Sequence, residues 1–487
     1  MANSCAWLLC LFSVLLGHGF VLQLEASHHV YRHLESDQST TANQPYRTAY
    51  HFQPPKNWMN DPNGPMIHKG LYHLFYQYNP YGAVWGHIVW AHSTSTDLIN
   101  WTPHDPAIYP TQESDINGCW SGSATILPRS KPAILYTGIN RQNQQVQNLA
   151  VPKNLSDPYL IEWVKSPNNA LMAPTAMNKI NSSSFRDPTT AWQGPDGRWR
   201  VIIGSKRDDR GMAILYRSKD FVHWLEAKHP LHSANGSGMW ECPDFYPVSV
   251  GIQNGVETSM VGLGIKHVLK WKMILVGDMI MGSFMLQRLS LIVLRPGGSL
   301  WGWINESTNA TIDIMKGWAG IQGIPKSLWL DKSGKQLVQW PVVEIEKLRV
   351  NQVDSPSKVL NGGSVLEVSG ITATQADVDI AFEINEFDKV DVLDPSWTNP
   401  QLLCSQKGAS VKGELGPFGL LVLASNGLQE YTAVFFRIFK GQDKYVVLMC
   451  SDQSRSSLHL DYDKTTYGAF VDVDPLQEKL SLRSLVS

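Results

Sequence analysis

The chain of 487 residues is long enough for two or three domains, because a single domain ordinarily holds roughly 100 to 200 residues. Its 41 basic and 43 acidic residues leave a formal net charge of −2, which offers no basic footprint for nucleic acid or anionic lipid and favours neutral or weakly charged partners. The 18 Trp must mostly pack in cores, yet they also supply flat apolar faces with a polar edge, the kind that stacks on sugar rings.

Taken in chain order, the first element is an apolar stretch from Ala6 to Leu16 followed by small and polar residues. It has the length of a secretory signal core and is too short to span a bilayer, so residues 1–26 are expected to be a signal peptide cleaved near Ala26 or Ser27. Cys5 and Cys10 leave with it, and the mature chain keeps Cys119, Cys242, Cys404 and Cys450. Secretion makes the sequons at Asn154, Asn181, Asn235, Asn305 and Asn309 glycosylation candidates; another at Asn100 is disfavoured by Pro103. There is no Cys-x-x-Cys or His-Glu-x-x-His spacing and the His are scattered, so neither a metal site nor a cofactor is expected.

From Tyr46 to Leu348, short runs rich in aromatic and β-branched residues ("GLYHLFYQYNP", "KPAILYTGIN", "RWRVIIGSK", "MAILYRSKD") alternate with Asp, Asn, Gly and Pro, which indicates an all-β fold. A repeat runs through them: "STDLINW" ending at Trp101, "SDPYLIEW" at Trp163 and "SKDFVHW" at Trp224. One such aromatic anchor per unit suggests the outer edges of successive β-propeller blades, whose loops converge on a funnel at the axis; a Greek-key sandwich is the alternative. Near "WPVVEIEKLRVNQV" the pattern turns polar, and "VDIAFEINEF", "GPFGLLVLAS", "TAVFFRIF" and "KYVVLMCSD" then alternate like the strands of a β-sandwich occupying residues 350–487. Cys404 and Cys450 both lie in that part, and a disulfide between them is the natural pairing, whereas Cys242 reads as a free, buried thiol.

Three acidic motifs stand out in the first part. "NWMNDPNGP" sets Asp61 among Trp58, Asn60 and Asn63, "SFRDPTT" sets Asp187 beside Arg186, and "MWECPDFYPV" holds Glu241 between Trp240 and Cys242. Singly, each reads as a turn, a surface ion pair or a strand end. Together they match what glycoside hydrolysis needs, two carboxylates in unlike environments on either side of a glycosidic bond. Trp240, Phe245 and the negative charge of Asp61 would favour a protonated Glu241, and amides around Asp61 would keep Asp61 ionised, so the two carboxyls have unlike environments.

These motifs, with "WSGSAT", "LWGWINES", "KGWAGIQ" and the Cys404 and Cys450 pair, resemble those of glycoside hydrolase family thirty-two, the group of plant acid invertases and fructan exohydrolases, from about Tyr46 to the end with one interruption. The resemblance implies a five-bladed β-propeller over residues 46–348 followed by a C-terminal β-sandwich, and retaining hydrolysis of terminal non-reducing β-D-fructofuranosides. It makes Asp61 the nucleophile, Glu241 the acid/base about 5 to 5.5 Å from it, and Asp187 the transition-state stabiliser. It places Trp58, Trp85 and Trp120 on an aromatic rim around the sugar, with Asn60, Gln77 and Arg186 as polar contacts. Sucrose or a β-fructan would be the substrate. Pro243 in "WECPDF" is similar to the cell-wall members, where vacuolar invertases usually carry Val. That favours a secreted protein of the apoplast or cell wall over a vacuolar one, with wall polysaccharide or a proteinaceous inhibitor as further partners.

The interruption is residues 271–299, which include "GDMIMGSFMLQRLSLIVL" from Gly277 to Leu294. Asp278 and Arg288 argue against a membrane span, and an amphipathic helix is one reading. A second reading takes it as the family's "YDYGKFYASKTFFD" segment translated one base out of frame. Tyr codons TAT followed by G become ATG, which gives Met279, Met281 and Met285 at the required spacing, and GAT followed by T gives Ile280. The segment is also short by roughly two strands of a blade. Without the Asp and Lys of that segment, weak sucrose cleavage and relatively better fructan cleavage are expected, or a secreted fructoside-binding protein with a defective site. The coding DNA checks the frame: a one-base shift across residues 271–299 should restore a "YDYGKFYASK"-like reading, and failure to do so returns the segment to a helical insert.

Overall fold

The computed structural model describes residues 47–48, 50–251, 256–274, 289–293, 298–304, 306, 308–371, 375–459 and 464–486. Residues 1–26, Asn305 and most of 271–299 therefore lie outside the described residues. Contacts divide the described residues into two compact units, the first made of Arg47, residues 51–274 and residues 289–342, the second of Thr48, Tyr50 and residues from Val343 onward.

In the first unit, β1 (Asn57–His68), β2 (Leu71–Asn79), β3 (Val89–Ser95) and β4 (Trp101–Ile108) pair antiparallel in sequence order. β5 (Cys119–Leu127), β6 (Lys131–Ile139), β7 (Gln145–Pro152) and β8 (Trp163–Lys165) repeat that order. In the third sheet β9 (Phe185–Arg186) and β10 (Trp192–Gln193) both line β11 (Trp199–Arg207), which is followed by β12 (Arg210–Ser218) and β13 (Trp224–Glu226); β14 (His232–Ala234) also joins β12. The fourth sheet has only two described strands, β15 (Met239–Ser249) and β16 (Ile265–Ile274). The fifth contains β17 (Leu289–Val293) and β18 (Gly298–Ile304), then β20 (Ile321–Gln322), β21 (Lys326–Leu330) and β22 (Leu337–Pro341), while β19 (Trp318–Ala319) joins the first sheet. β19 runs parallel to β1, with Asn57 opposite Trp318. These sheets are the five blades of a propeller, and the sandwich alternative for this part falls away. Of the 277–294 run, the described piece Leu289–Val293 is a strand.

Period-two alternation explains how the blades stack. On β6, Ala133 and Leu135 face Val201, Ile203 and Phe185 of the third blade, while Ile134 and Tyr136 face Phe75 and Trp90 of the first. On β11 and β12, Ile202, Ala213 and Leu215 turn instead to Trp240 of the fourth. Tyr246 and Val248 of the fourth blade pack on Leu300, Leu328 and Leu330 of the fifth, and Trp301 returns to Met59, Leu74 and Tyr76 of the first. Every blade is apolar on both faces because both are buried, and the ring closes on itself.

The Trp repeat has a local cause. Asp97, Asp157 and Asp220 accept backbone N–H groups two to four residues ahead, at 2.8 to 3.0 Å, as Asx turns do. Three residues before each Trp, Leu98, Leu160 or Phe221 has positive φ, and the indole of Trp101, Trp163 or Trp224 donates to its carbonyl at 3.1, 2.8 or 3.1 Å. Each Trp opens β4, β8 or β13, the outermost strand of its blade, as the repeat suggested.

The second unit holds β23 (Ala376–Phe382) paired with β28 (Leu480–Val486), and a sheet of β24 (Phe418–Val422), β25 (Thr432–Lys440), β26 (Tyr445–Asp452) and β27 (Tyr467–Val471). On β25, Phe436 and Ile438 pack with Leu480 and Leu482 between the sheets, whereas Ala433, Phe435 and Phe439 pack under the helix Pro400–Gln406. The Cys404–Cys450 disulfide pins that helix to β26, with a Cα separation of 5.7 Å. Gly468 makes room for it, since a Cβ there would sit 2.4 Å from Cys404 Sγ.

Four histidines cluster in and beside the first blade. His73 Nδ1 lies 3.0 Å from Nε2 of His92, whose ring stacks on Phe75 at 4.3 Å, with His68 and His104 flanking. His73 and His92 are fully buried, and burial, with the neighbouring histidines adding to it, drives His73 down to about 3 against the pull of Asp157. Burial lowers His92, His68 and His104 as well. The folded state thus binds fewer protons than the unfolded chain below the ordinary value of 6.5, and stability is lost as pH falls from there toward about 3. Thermal unfolding measured from about pH 7 to about pH 4 should show a falling midpoint that flattens in the His73→Leu/His92→Leu pair, which removes both partners together. An equal slope in the pair would refute this account.

Candidate active site

Three strands of the first unit carry their polar motif residues on irregular backbone. Register shifts occur on β1 between Met59 and Pro62, on β5 between Cys119 and Gly122, and on β15 between Glu241 and Asp244. Bulges of this kind re-aim side chains, and here they flank Asp61, Ser121 and Glu241. Asp61 Oδ2 accepts from Ser121 Oγ at 3.1 Å. The Asn63 carboxamide turns instead to Gly122 N at 3.4 Å, and Asn60 Oδ1 accepts from the Trp58 indole at 2.9 Å. A donor to Asp61 thus comes from the second blade, sixty residues away in sequence.

Asp187 and Glu241 are joined twice. Arg186 Nη2 and Nε donate to Glu241 Oε1 at 2.6 and 3.2 Å, and Cys242 N donates to Asp187 Oδ2 at 2.9 Å. Arg186 Nε is also 4.0 Å from Asp187 Oδ2, and its side chain is 12% exposed. Burial alone would lower the guanidinium, but Glu241 and Asp187 outweigh it and raise it. Asp187 and Cys242 both have left-handed backbone, with φ of 68° and 49°, a strained conformation for such residues. Cys242 is a free thiol, half-buried rather than buried, with its Sγ 3.5 Å from Asp187 Oδ2.

The apolar flank expected around Glu241 is not formed by its sequence neighbours. Trp240 is fully buried on the opposite face of β15, its indole donating to Ser237 Oγ at 2.9 Å, and Phe245 stacks on His267 at 5.0 Å. Arg186 of the third blade lies against Glu241, its Nη2 2.6 Å from Oε1.

The aromatic residues assemble in two pairs. Trp85, 55% exposed, meets Trp120 edge-on at 5.6 Å, and Trp58 meets Trp303 at 5.8 Å. Gln77 is buried and donates to Cys119 O at 3.3 Å. Ser121 and Trp303 were missed by the sequence reading, although both lie in its quoted motifs "WSGSAT" and "LWGWINES". Asn154, Asn181, Asn235 and Asn309 are exposed. Among the described residues no group of three His, Cys, Asp or Glu is placed to hold a metal, and no helix is long and apolar enough to cross a membrane.

The propeller and its three carboxylate motifs fit the scaffold of a glycoside hydrolase, and the comparisons with known proteins agree. The sequence profile of the glycosyl hydrolases family 32 N-terminal domain matches residues 51–285 and 297–341, and that of the family 32 C terminal matches 344–486. The chain belongs to glycosyl hydrolases family 32. It is 60% identical over 522 aligned positions to the cell wall isozyme of beta-fructofuranosidase from Pisum sativum, covering 100% of this chain and 93% of that protein. It is 55% identical to the fructan 6-exohydrolase of Beta vulgaris, covering 99% and 86%. Among solved structures, fructan 1-exohydrolase IIa of Cichorium intybus superposes with a TM-score of 0.84 at 50% identity, over 91% of this chain and 88% of that one, and so does its variant in complex with 1-kestose.

Gly204 on β11 is what lets β15 approach: a Cβ there would lie 2.1 Å from Trp240 O and 3.1 Å from Pro243 Cδ. Gly204→Ala should therefore displace the strand that carries Glu241, at a cost of about 1 to 3 kcal/mol. Denaturant unfolding together with a hydrolysis assay checks this, and wild-type values in both would show that β15 is not held there.

Proposed function

We propose that the chain hydrolyses terminal non-reducing β-D-fructofuranosides with retention at the anomeric carbon. Asp61 attacks that carbon, Glu241 protonates the leaving oxygen and later takes a proton from water, and Asp187 holds ring hydroxyls as the oxocarbenium-like transition state forms. The observation that carries the reading is the double tie between Asp187 and Glu241, through Arg186 and Cys242 N–H, on a scaffold shared with enzymes named as beta-fructofuranosidases and fructan exohydrolases. Trp58, Trp85 and Trp120 form the rim against which a sugar stacks, with Asn60, Gln77 and Arg186 fixing polar groups around it.

Sucrose and β-fructans are the substrates. The altered 271–299 segment, lacking the Asp and Lys of the related sequence, weighs toward fructan chains. Residues 1–26 direct secretion, the apoplast or cell wall is the destination, and Asn154, Asn181, Asn235, Asn305 and Asn309 are the acceptor sites for glycans. The names of the relatives from Pisum sativum and Arabidopsis thaliana support the wall placement. Wall polysaccharide and a proteinaceous inhibitor are the further partners this placement suggests.

Purified protein should release fructose from sucrose and from inulin- or levan-type chains, with the higher specificity constant on a fructan. Glu241→Gln should cut the rate by a factor on the order of 100 or more, as loss of general acid catalysis does. Wild-type turnover in that variant would remove Glu241 from the mechanism, and a sucrose specificity constant above that for every fructan would reverse the preference.

A further inference from the structure

Asp187 sits at φ 68°, a conformation its own segment does not favour, so something around it must hold it there. On the third-blade side, Arg186 and Phe185 pair with Gly204 and Ser205 of β11, and Ser205 Oγ donates to Ser184 O at 2.6 Å. On the other side stands a row of side chains from the second blade. Gln145 and Gln147, two apart on β7 and so on one face of it, offer their carboxamides to Phe185 as a neighbouring strand would offer peptide groups. Phe185 N donates to Gln145 Oε1 at 2.8 Å, and Gln147 Nε2 donates to Phe185 O at 2.8 Å. Thr137, opposite Gln147 on β6, donates to Gln147 Oε1 at 3.0 Å and accepts Asp187 N at 2.9 Å. Gln145 Oε1 further accepts Arg186 Nη1 at 3.1 Å. Thr137 and Gln147 are fully enclosed.

We propose that Thr137 and Gln147, with Gln145, form a side-chain clamp that locks the backbone of Asp187 in its left-handed conformation and thereby aims the carboxylate at Cys242 N–H and the sugar. They are positioning residues, which touch no substrate and act through Asp187. The inference rests on the assignment of Asp187 to transition-state stabilisation. Buried polar side chains of this kind are costly unless fully paired, and these are paired at both ends with the one segment that carries the site. A purely structural role would be served as well by apolar residues of the same shape.

Thr137→Val keeps the shape and removes the acceptor for Asp187 N, and Thr137→Ser restores it. Expected for Thr137→Val is a fall in kcat of roughly tenfold to a hundredfold per active site, as small misplacements of a catalytic group produce, with KM little changed and activity recovered in Thr137→Ser. Gln147→Glu, which keeps the acceptor for Thr137 but not the donor to Phe185 O, should fall in between and serves if the Val variant does not fold. A lowered unfolding temperature with wild-type kcat per titrated site would overturn the proposal. A crystal structure of Thr137→Val or of Gln147→Glu reads it without catalysis: Asp187 should leave positive φ and its Oδ2 should part from Cys242 N, and an unmoved Asp187 overturns the clamp. Absence of fructose release from the wild-type chain would overturn the hydrolase assignment instead, and the crystallographic result would still decide the clamp.

Discussion

The burial of both faces of every blade is the constraint on which the rest depends. A free-standing four-stranded sheet can leave one face in water, but here Ala133 and Leu135 on one side of β6 and Ile134 and Tyr136 on the other are all buried, each against a different blade. Fully burying side chains of this size is worth roughly 1.5 to 3 kcal/mol apiece, and a slip of one residue would exchange the two faces of a strand. Register is therefore fixed around the whole ring. With register fixed, the inner strands can afford bulges at their ends without losing their place, and those bulges carry Asp61, Ser121 and Glu241.

The fourth blade tests how much of the ring is needed. Only β15 and β16 are described in it, the family profile breaks over residues 286–296, and 522 aligned positions against 487 residues mean that the chain is shorter than its relative within the aligned stretch. Yet both interfaces of this blade persist near the axis. Trp240 and Phe245 pack on Trp192 and Ile202 of the third blade, and Tyr246 and Val248 on Leu300 and Leu328 of the fifth. The inner strand β15 takes its packing from both neighbouring blades, and Glu241 keeps its tie to Arg186 while Trp240 and Pro243 keep their places beside Gly204.

What the sequence made legible follows the same division. The outer-strand repeat could be read because its cause is local: an Asp, an Asx turn and an indole reaching back three residues all lie within one heptad-length segment. The sandwich strands were visible for the same reason, through alternation such as that of Phe435, Phe436 and Ile438. The carboxylates could be picked out as motifs, but their surroundings could not, because those are set by pairing between blades. Asn60 and Asn63 flank Asp61 in sequence and turn elsewhere, while Ser121 arrives from sixty residues away. Trp240 adjoins Glu241 in sequence, and strand alternation puts it on the opposite face. On a strand, successive residues point to opposite faces, so neighbours in sequence are not neighbours in space.

Arg186 is the link between the carboxylate motifs of the third and fourth blades. Its guanidinium lies 2.6 Å from Glu241 Oε1 and so ties β9 to β15. It has a second anionic neighbour in Asp187, 4.0 Å away, and a further anchor in Gln145 Oε1 at 3.1 Å, so three blades meet at one side chain. The hydrogen bond from Cys242 N to Asp187 Oδ2 closes the same link from the fourth blade. The relative placement of the two carboxylates is therefore set by packing between blades and not by either motif alone, and a change at any of the three contacts bears on both.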